Sequence, residues 1–210
     1  MNKKKLLLIG GGGHCRSVLD SVLELNTYSE IGIVDNTDCS CLGVSVVGSD
    51  EDLPFLRDSG WSDAFITVGS IGDTTTRRRL FELVKGIGFG IPVIVDPSSV
   101  VARDVQILEG SYVGKRAVVN TGAHVGICSI INTGAIVEHD CVVSSYVHIS
   151  PGAVICGHVT VGEDTHIGAG SVLRQSVSIG SRCMIGAGSV VVSNVKDNVK
   201  AYGNPCRIQE

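Results

Sequence analysis

VSSYVH ISPGAV ICGHVT VGEDTH IGAGSV, residues 143–172, is one six-residue pattern written five times. Followed outward in both directions, the register holds without an insertion from Val101 to Lys196, sixteen hexads in all. The first position is always aliphatic, from Val101 and Ile107 through Ile149, Ile155 and Val161 to Ile185 and Val191. The fifth is small or medium-sized, as at Ser111, Ala117, Ala135, Cys141, Ala153 and Ser189. One aliphatic and one small inward residue per six, repeated at fixed period, fits short parallel strands joined by tight corners, each stacked on its equivalent one coil later. The predicted shape is a parallel β-helix of triangular section. Three hexads make a coil, so residues eighteen apart lie above one another at strand spacing, about 4.8 Å. Glycine fills the second position at 114, 126, 162, 168, 180 and 186. We assign these glycines to corners whose φ other residues reach only with strain, with Asn120 and Asn132 as the next best occupants.

The rest of the chain is short but organised. At 210 residues and 43% hydrophobic, it has room for a second unit before the column. A net charge of −4 leaves no basic stripe for phosphate backbones, and four Phe, four Tyr and Trp61 offer no platform for bases, so nucleic acid is not expected as a partner. Lys3, Lys4 and Lys5 before Leu6–Ile9 are a poor match to a secretory signal because the apolar run is too short and enters a glycine turn. We expect a cytoplasmic protein with no membrane insertion. The eight cysteines, at 15, 39, 41, 128, 141, 156, 183 and 206, contain no CxxC pair, so no structural metal is expected.

Residues 4–9 form an apolar strand that runs into GGGGH, Gly10 to His14. A helical pattern through Val18, Leu19, Val22 and Leu23 follows, then a strand over Ile31 to Val34 that ends at Asp35. Glycines at the end of a first strand let a ligand approach the backbone, and the next helix offers free N–H groups to a phosphate. An acid ending the second strand suits a ribose hydroxyl. The dinucleotide fingerprint is incomplete, since Cys15 stands where its third glycine belongs, so a nucleotide other than NAD is open. Helices near Asp50–Arg57 and Thr75–Val84, with strands at Ala64–Val68 and Val93–Val95, continue the alternation of a parallel sheet. The loop GSIGD, Gly69 to Asp73, then emerges beside the Gly10 turn and Asp35 at one edge of that sheet. Pro97 marks the boundary between a domain at 1–97 and a domain at 98–210.

The combination of GGGGH, INTGAIVEHD (131–140), VHISPGAVICGHVTVG (147–162), HIGAGSVL (166–173) and AYGNP (201–205) resembles the bacterial hexapeptide-repeat sugar acyltransferases of the sialic-acid O-acetyltransferase family. That family includes N-acetyltransferases of nucleotide-linked amino sugars. The resemblance implies a left-handed β-helix, a homotrimer, acetyl-CoA between neighbouring columns and a Rossmann-like amino-terminal domain that holds the nucleotide sugar. It implies that His139 of VEHD is the general base and that Asp140 orients it, with Glu138 as the alternative orienter. His148 is implied at the thioester of acetyl-CoA, Asn132 beside the reacting group, the Gly157 amide at the oxyanion, and the Ala169 and Ala187 backbones along the pantetheine arm. Gly12, Gly13 and His14 are implied at the phosphates and sugar, and Asp35 and Asn36 at the base and ribose; Gly69 is expected at the substrate from its place in the loop at the same edge of the sheet. Cys206 stands where the family usually has alanine after GNP.

An imidazole with a pKa near 6.5 accepts a proton at neutral pH, and a carboxylate beside it holds its tautomer. The expected reaction is direct acetyl transfer from acetyl-CoA to an amino sugar in surface-glycan biosynthesis, without a covalent intermediate on Cys156. O-acetylation of a sialic or legionaminic type of sugar is the alternative. Two other classes are a zinc-dependent hydratase using the stacked His148 and His166, and a non-catalytic partner of another sugar enzyme.

Overall fold

The computed structural model describes residues 4–37 and 40–209; Lys3 and Cys39 lie outside them. Strands β1 (Lys5–Ile9), β2 (Glu30–Val34), β3 (Ser40–Cys41), β4 (Val44–Gly48) and β5 (Asp63–Ile66) form one sheet in the order β3-β4-β2-β1-β5. All neighbours are parallel except β3 with β4. Leu6 to Ile9 are fully buried because this central strand is covered on both faces, which explains an unbroken apolar run in place of alternation. Helices α1 (Gly13–Leu25), α2 (Leu53–Asp58) and α3 (Thr75–Ile87) connect the strands. The expected elements are present; the β3–β4 hairpin was not anticipated.

The strand expected at Val93–Val95 is found at Ile94–Val95, yet it does not join this sheet. It pairs in parallel with Tyr112–Val113 and is the first rung of the column. From there, two-residue strands repeat every six residues and stack at a spacing of eighteen, as in Val118 on Ile136 and His148 on His166. They make three flat faces. One carries Tyr112, Ile130, His148 and His166 outward, the second Val118, Ile136, Val154 and Val172, the third His124, Val142 and Thr160. First-position aliphatics from Val113 to Val191 fill the centre and are buried, while Val101 and Ile107 of the first coil are partly buried against it. Fifth-position hydroxyls are buried but satisfied: Ser129, Thr165 and Ser171 donate to the carbonyls of Ser144, Gly180 and Gly186 at 2.8, 2.7 and 2.9 Å.

The corner glycines require a correction. Positive φ falls at the fourth position of the hexad, at Gly122, Gly134, Gly152, Gly170 and Gly188 and also at Arg116, Asp140, His158 and Asp164. Second-position glycines have ordinary φ and are needed for another reason: a Cβ on Gly126, Gly162 or Gly168 would lie 2.4–2.6 Å from backbone atoms of the next coil. A non-glycine fourth position costs about 1–2 kcal/mol, a cost of the same order as the roughly 1.5–3 kcal/mol that one buried aliphatic contributes.

The amino-terminal domain sits on the first face of the column. Tyr112 and Ile130 are buried in a common core with Leu8, Val18 and Phe65. Buried Arg77 donates to the carbonyls of Ile66, Val68 and Cys128, which ties the end of β5 to the column. Arg78 holds Asp164 through two hydrogen bonds of 3.0 and 2.9 Å and lies 3.9 Å over the Tyr146 ring. No described helix is long and apolar enough to cross a membrane.

Candidate active site

His139 and Gly157 are third-position residues stacked one coil apart on the edge between the second and third faces. The imidazole packs closely on Gly157, where an added Cβ would come within 2.5 Å of His139 Nε2. His139 Nδ1 donates to Asp140 Oδ2 at 2.9 Å, since a carboxylate only accepts. That fixes the tautomer and leaves Nε2 as the free base. The choice between the two flanking acids follows from the corner. Asp140 is at the left-handed fourth position, φ 58°, which turns its short side chain back beside the imidazole. Glu138 is engaged elsewhere, accepting from Asn120 Nδ2 at 3.0 Å and from the His139 amide at 3.3 Å.

The corners also decide which amides are free. A third-position N–H has no rung to join, and an Asn or Glu just before it caps it, as at Thr121, Thr133 and His139. Gly157, Ala169 and Ala187 follow Cys156, Gly168 and Gly186, which carry no such acceptor, and among the described residues nothing receives their N–H groups. These three amides are available to a carbonyl or an oxyanion.

Ala169 and Ala187 lie on the other edge of the second face. Beside them is an apolar cavity of about 430 Å³ lined by Ile71, His148, Pro151, His166 and Met184. It adjoins, through His148 and Pro151, a cavity of about 340 Å³ lined by Gly13, His14, Gly69, Asn132 and Thr133. Thr133 and Ser17 lead on to a third, of about 410 Å³, bounded by Arg16, Asp20, Leu42, Tyr112 and Lys115. Together they form one groove between α1, the Gly69 loop and the column. Gly12 caps the start of α1 with an ordinary φ of −74°. Asp35 braces the glycine loop, accepting from the Gly11 amide at 2.7 Å and from Thr37, and those bonds hold its carboxyl below the usual range. Asn36 is exposed, and neither it nor Asp35 lines the groove.

The histidines in the groove are neutral. His148 Nδ1 donates to the Ser70 carbonyl at 2.9 Å, so its Nε2 accepts from Asn132 Nδ2 at 3.1 Å. Both ring nitrogens are thus engaged by the protein, and burial pushes the ring down to about 4. The role implied for it, a direct hydrogen bond to the thioester, has no free nitrogen here; His148 instead aims the Asn132 amide and anchors the Gly69 loop. Burial, then the Arg77 charge, pushes His14 down to about 3, and its Nε2 is buried without a partner at the wall of the sugar-sized cavity.

His139, Asp140 and Gly157 line none of these cavities. One chain therefore holds the His139–Asp140 pair on one edge of its column and the linked cavities on the other. Sequence reasoning missed Arg16, one turn after the glycines, and Lys115, which reaches buried Asp96 at 3.3 Å as well as Asp20 and Glu24. It also missed His158, whose ring stands edge-on to His139 with centroids 5.1 Å apart.

A glycine-loop α/β domain seated on a left-handed parallel β-helix, with a carboxylate-held histidine and uncapped corner amides, defines an acyltransferase of the hexapeptide-repeat class. Residues 5–84 match the PglD N-terminal domain, and residues 140–175 and 158–193 match the bacterial transferase hexapeptide (six repeats). No curated protein matches the chain. Among solved structures, the acetyltransferase domain of PglB from Neisseria gonorrhoeae, in complex with acetyl coenzyme A, is 36% identical with a TM-score of 0.93, covering 100% of each chain. PerB from Caulobacter crescentus, in complex with CoA and GDP-perosamine, is 36% identical with a TM-score of 0.93, covering 98% of this chain and 97% of that one. WeeI from Acinetobacter baumannii, 22% identical with a TM-score of 0.80 over 98% of this chain and 100% of its own, shares the fold. The chain belongs to the bacterial hexapeptide-repeat sugar acyltransferases and is an acetyl-CoA-dependent acetyltransferase.

Proposed function

We propose that this protein transfers the acetyl group of acetyl-CoA to the amino group of a nucleotide-linked amino sugar, as a homotrimer in the cytoplasm. The observation that carries the reading is the continuous groove from the glycine loop to the uncapped amides of Ala169 and Ala187. In support, PerB, alike over nearly the whole chain, is crystallised with both a nucleotide amino sugar and CoA. Residues 1–97 supply the acceptor side, with Gly12, Gly13, His14 and Gly69 at the sugar and phosphates and Asp35 and Asn36 toward the nucleoside. Residues 98–210 supply the transfer side, with the acyl donor along Ala169 and Ala187.

The second face of the column supports the trimer. Its outward residues, Val100, Val118, Ile136, Val154, Val172 and Val190, are all aliphatic, and Val100 and Val172 are exposed in the single chain. Three columns with this face toward a common axis bury the stripe and set the His139 edge of one beside the groove edge of the next. His139 Nε2 then takes the proton from the attacking amine, Asp140 stabilises the imidazolium, and the Gly157 amide faces the developing oxyanion. The tetrahedral intermediate collapses with loss of the CoA thiolate, which takes up the proton.

The test is incubation with acetyl-CoA and a panel of nucleotide-linked amino sugars, with product identified by mass. A product stable to mild alkali marks an amide, whereas an ester would be cleaved and would replace this reading with O-acetylation. His139→Ala is expected to lose transfer at least a hundredfold; near-normal transfer by that variant would remove His139 from its role.

A further inference from the structure

His158 is unused by the reaction just described, and its position has a chemical meaning. It occupies the left-handed corner position one coil below Asp140, with φ 58°, and its amide donates to the His139 carbonyl at 3.0 Å. The backbone thereby fixes both rings against one carboxylate. Asp140 Oδ2 is 2.9 Å from His139 Nδ1 and 3.6 Å from His158 Nε2, and the three donor atoms all lie within 4.8 Å of one another. A tetrahedral zinc ion with bonds of about 2.0–2.1 Å separates its ligands by about 3.3 Å, a value that the two measured separations bracket. All three side chains are about half exposed, so an ion reaches them without unfolding the corner.

We propose that His139, Asp140 and His158 form a binding site for a divalent transition-metal ion, zinc best of all, and that its occupation switches acetyl transfer off. Two imidazoles and a carboxylate, completed by water, are a ligand set zinc accepts. Inhibition follows from the tautomer, and so rests on the assignment of His139 as base. In the active form the proton is on Nδ1, shared with Asp140, and the Nε2 lone pair faces the acceptor. An ion on Nδ1 displaces that proton; the neutral ring then carries its proton on Nε2, where it has no lone pair to accept another. The exchange leaves the number of protons on the ring unchanged. The ion is an inhibitor, not a cofactor.

The experiment uses the full-length wild-type protein and His158→Asn, because asparagine tolerates a left-handed φ and is a poor zinc ligand. Zinc binding is followed by calorimetry in chelator-buffered zinc, and transfer by chromatography of the acetylated product, since free CoA thiol itself binds zinc. The wild type is expected to bind one zinc per chain and to lose transfer as the site fills, with recovery on EDTA. His158→Asn is expected to transfer normally without zinc and to need at least tenfold more zinc for the same occupancy and inhibition. Equal zinc binding by the two proteins, or none by the wild type at 100-fold excess over protein, overturns the site. Zinc that binds through His158 and leaves transfer unchanged overturns the switch, and His139→Ala, which loses transfer only if His139 is the base, tells that failure from a failure of the base assignment.

Discussion

Gly157→Ala tests the contact between the coils that holds the base. Ordinary van der Waals contact begins near 3.4 Å, and the new methyl would stand 2.5 Å from His139 Nε2 and 2.7 Å from Cε1. The ring must retreat by about 1 Å, and a misplacement of that size at a reacting atom costs about a hundredfold in rate. Because Gly157 has an ordinary φ and an intact N–H in the variant, neither backbone strain nor loss of the oxyanion donor contributes. His139 is partly exposed and yields outward, so the fold persists. We expect kcat to fall about a hundredfold while the melting temperature moves by no more than a few degrees. Steady-state kinetics with saturating acetyl-CoA, beside a thermal melt and Gln175→Ala on the same edge as control, measures both. A kcat within threefold of wild type, or a melting temperature that collapses, refutes the reasoning.

Asp140→Asn removes the charge that holds Nδ1–H and stabilises the imidazolium; kcat should drop about 10²–10⁴-fold with little change in KM, read by initial rates. His14 and His148 stay neutral when folded but take protons near pH 6.5 when unfolded, so the unfolded state binds more protons below that pH. Stability is therefore full above pH 6.5 and declines toward pH 4, by about 2 kcal/mol between pH 6 and 5 for the pair. Urea unfolding at several pH values should show this, and His148→Gln should roughly halve the slope; a flat profile in the wild type would count against it. Val154→Asp on the aliphatic face should give monomers by light scattering and abolish transfer with the column still folded; an active trimer would contradict the assembly.

The prism was legible because an inward position recurring every six residues leaves no other period open, whereas His139 was singled out by the family resemblance of its VEHD segment, and its third place in the hexad, outside the inward positions, only agrees with that choice. The role of the corner glycines was not: a letter G does not say whether φ or a missing Cβ matters, and only the stacking of Gly126 or Gly168 on the next coil decides it. The strand at Ile94–Val95 reads like a last strand of the sheet because apolar residues are equally at home in either domain; its partner, Tyr112–Val113, is distant in sequence. The engagement of His148 by Ser70 and Asn132 depends on a loop seventy-eight residues away and has no local signature. The β3–β4 hairpin was hidden for the opposite reason, since two residues of β3 carry too little pattern to see.

The uncapped corner amides make the column a row of sockets opened or closed by a single neighbouring side chain. Asn132 closes the one at Thr133, whereas Gly168 leaves the next but one, at Ala169, open. The open state is protected by packing, because any side chain at 168 would strike the Ala187 amide at 2.4 Å. Opening or closing a socket of this kind thus requires paired exchanges in adjacent coils, so the pattern of free amides is set by steric interlock even though the residues that carry them offer nothing but their backbone.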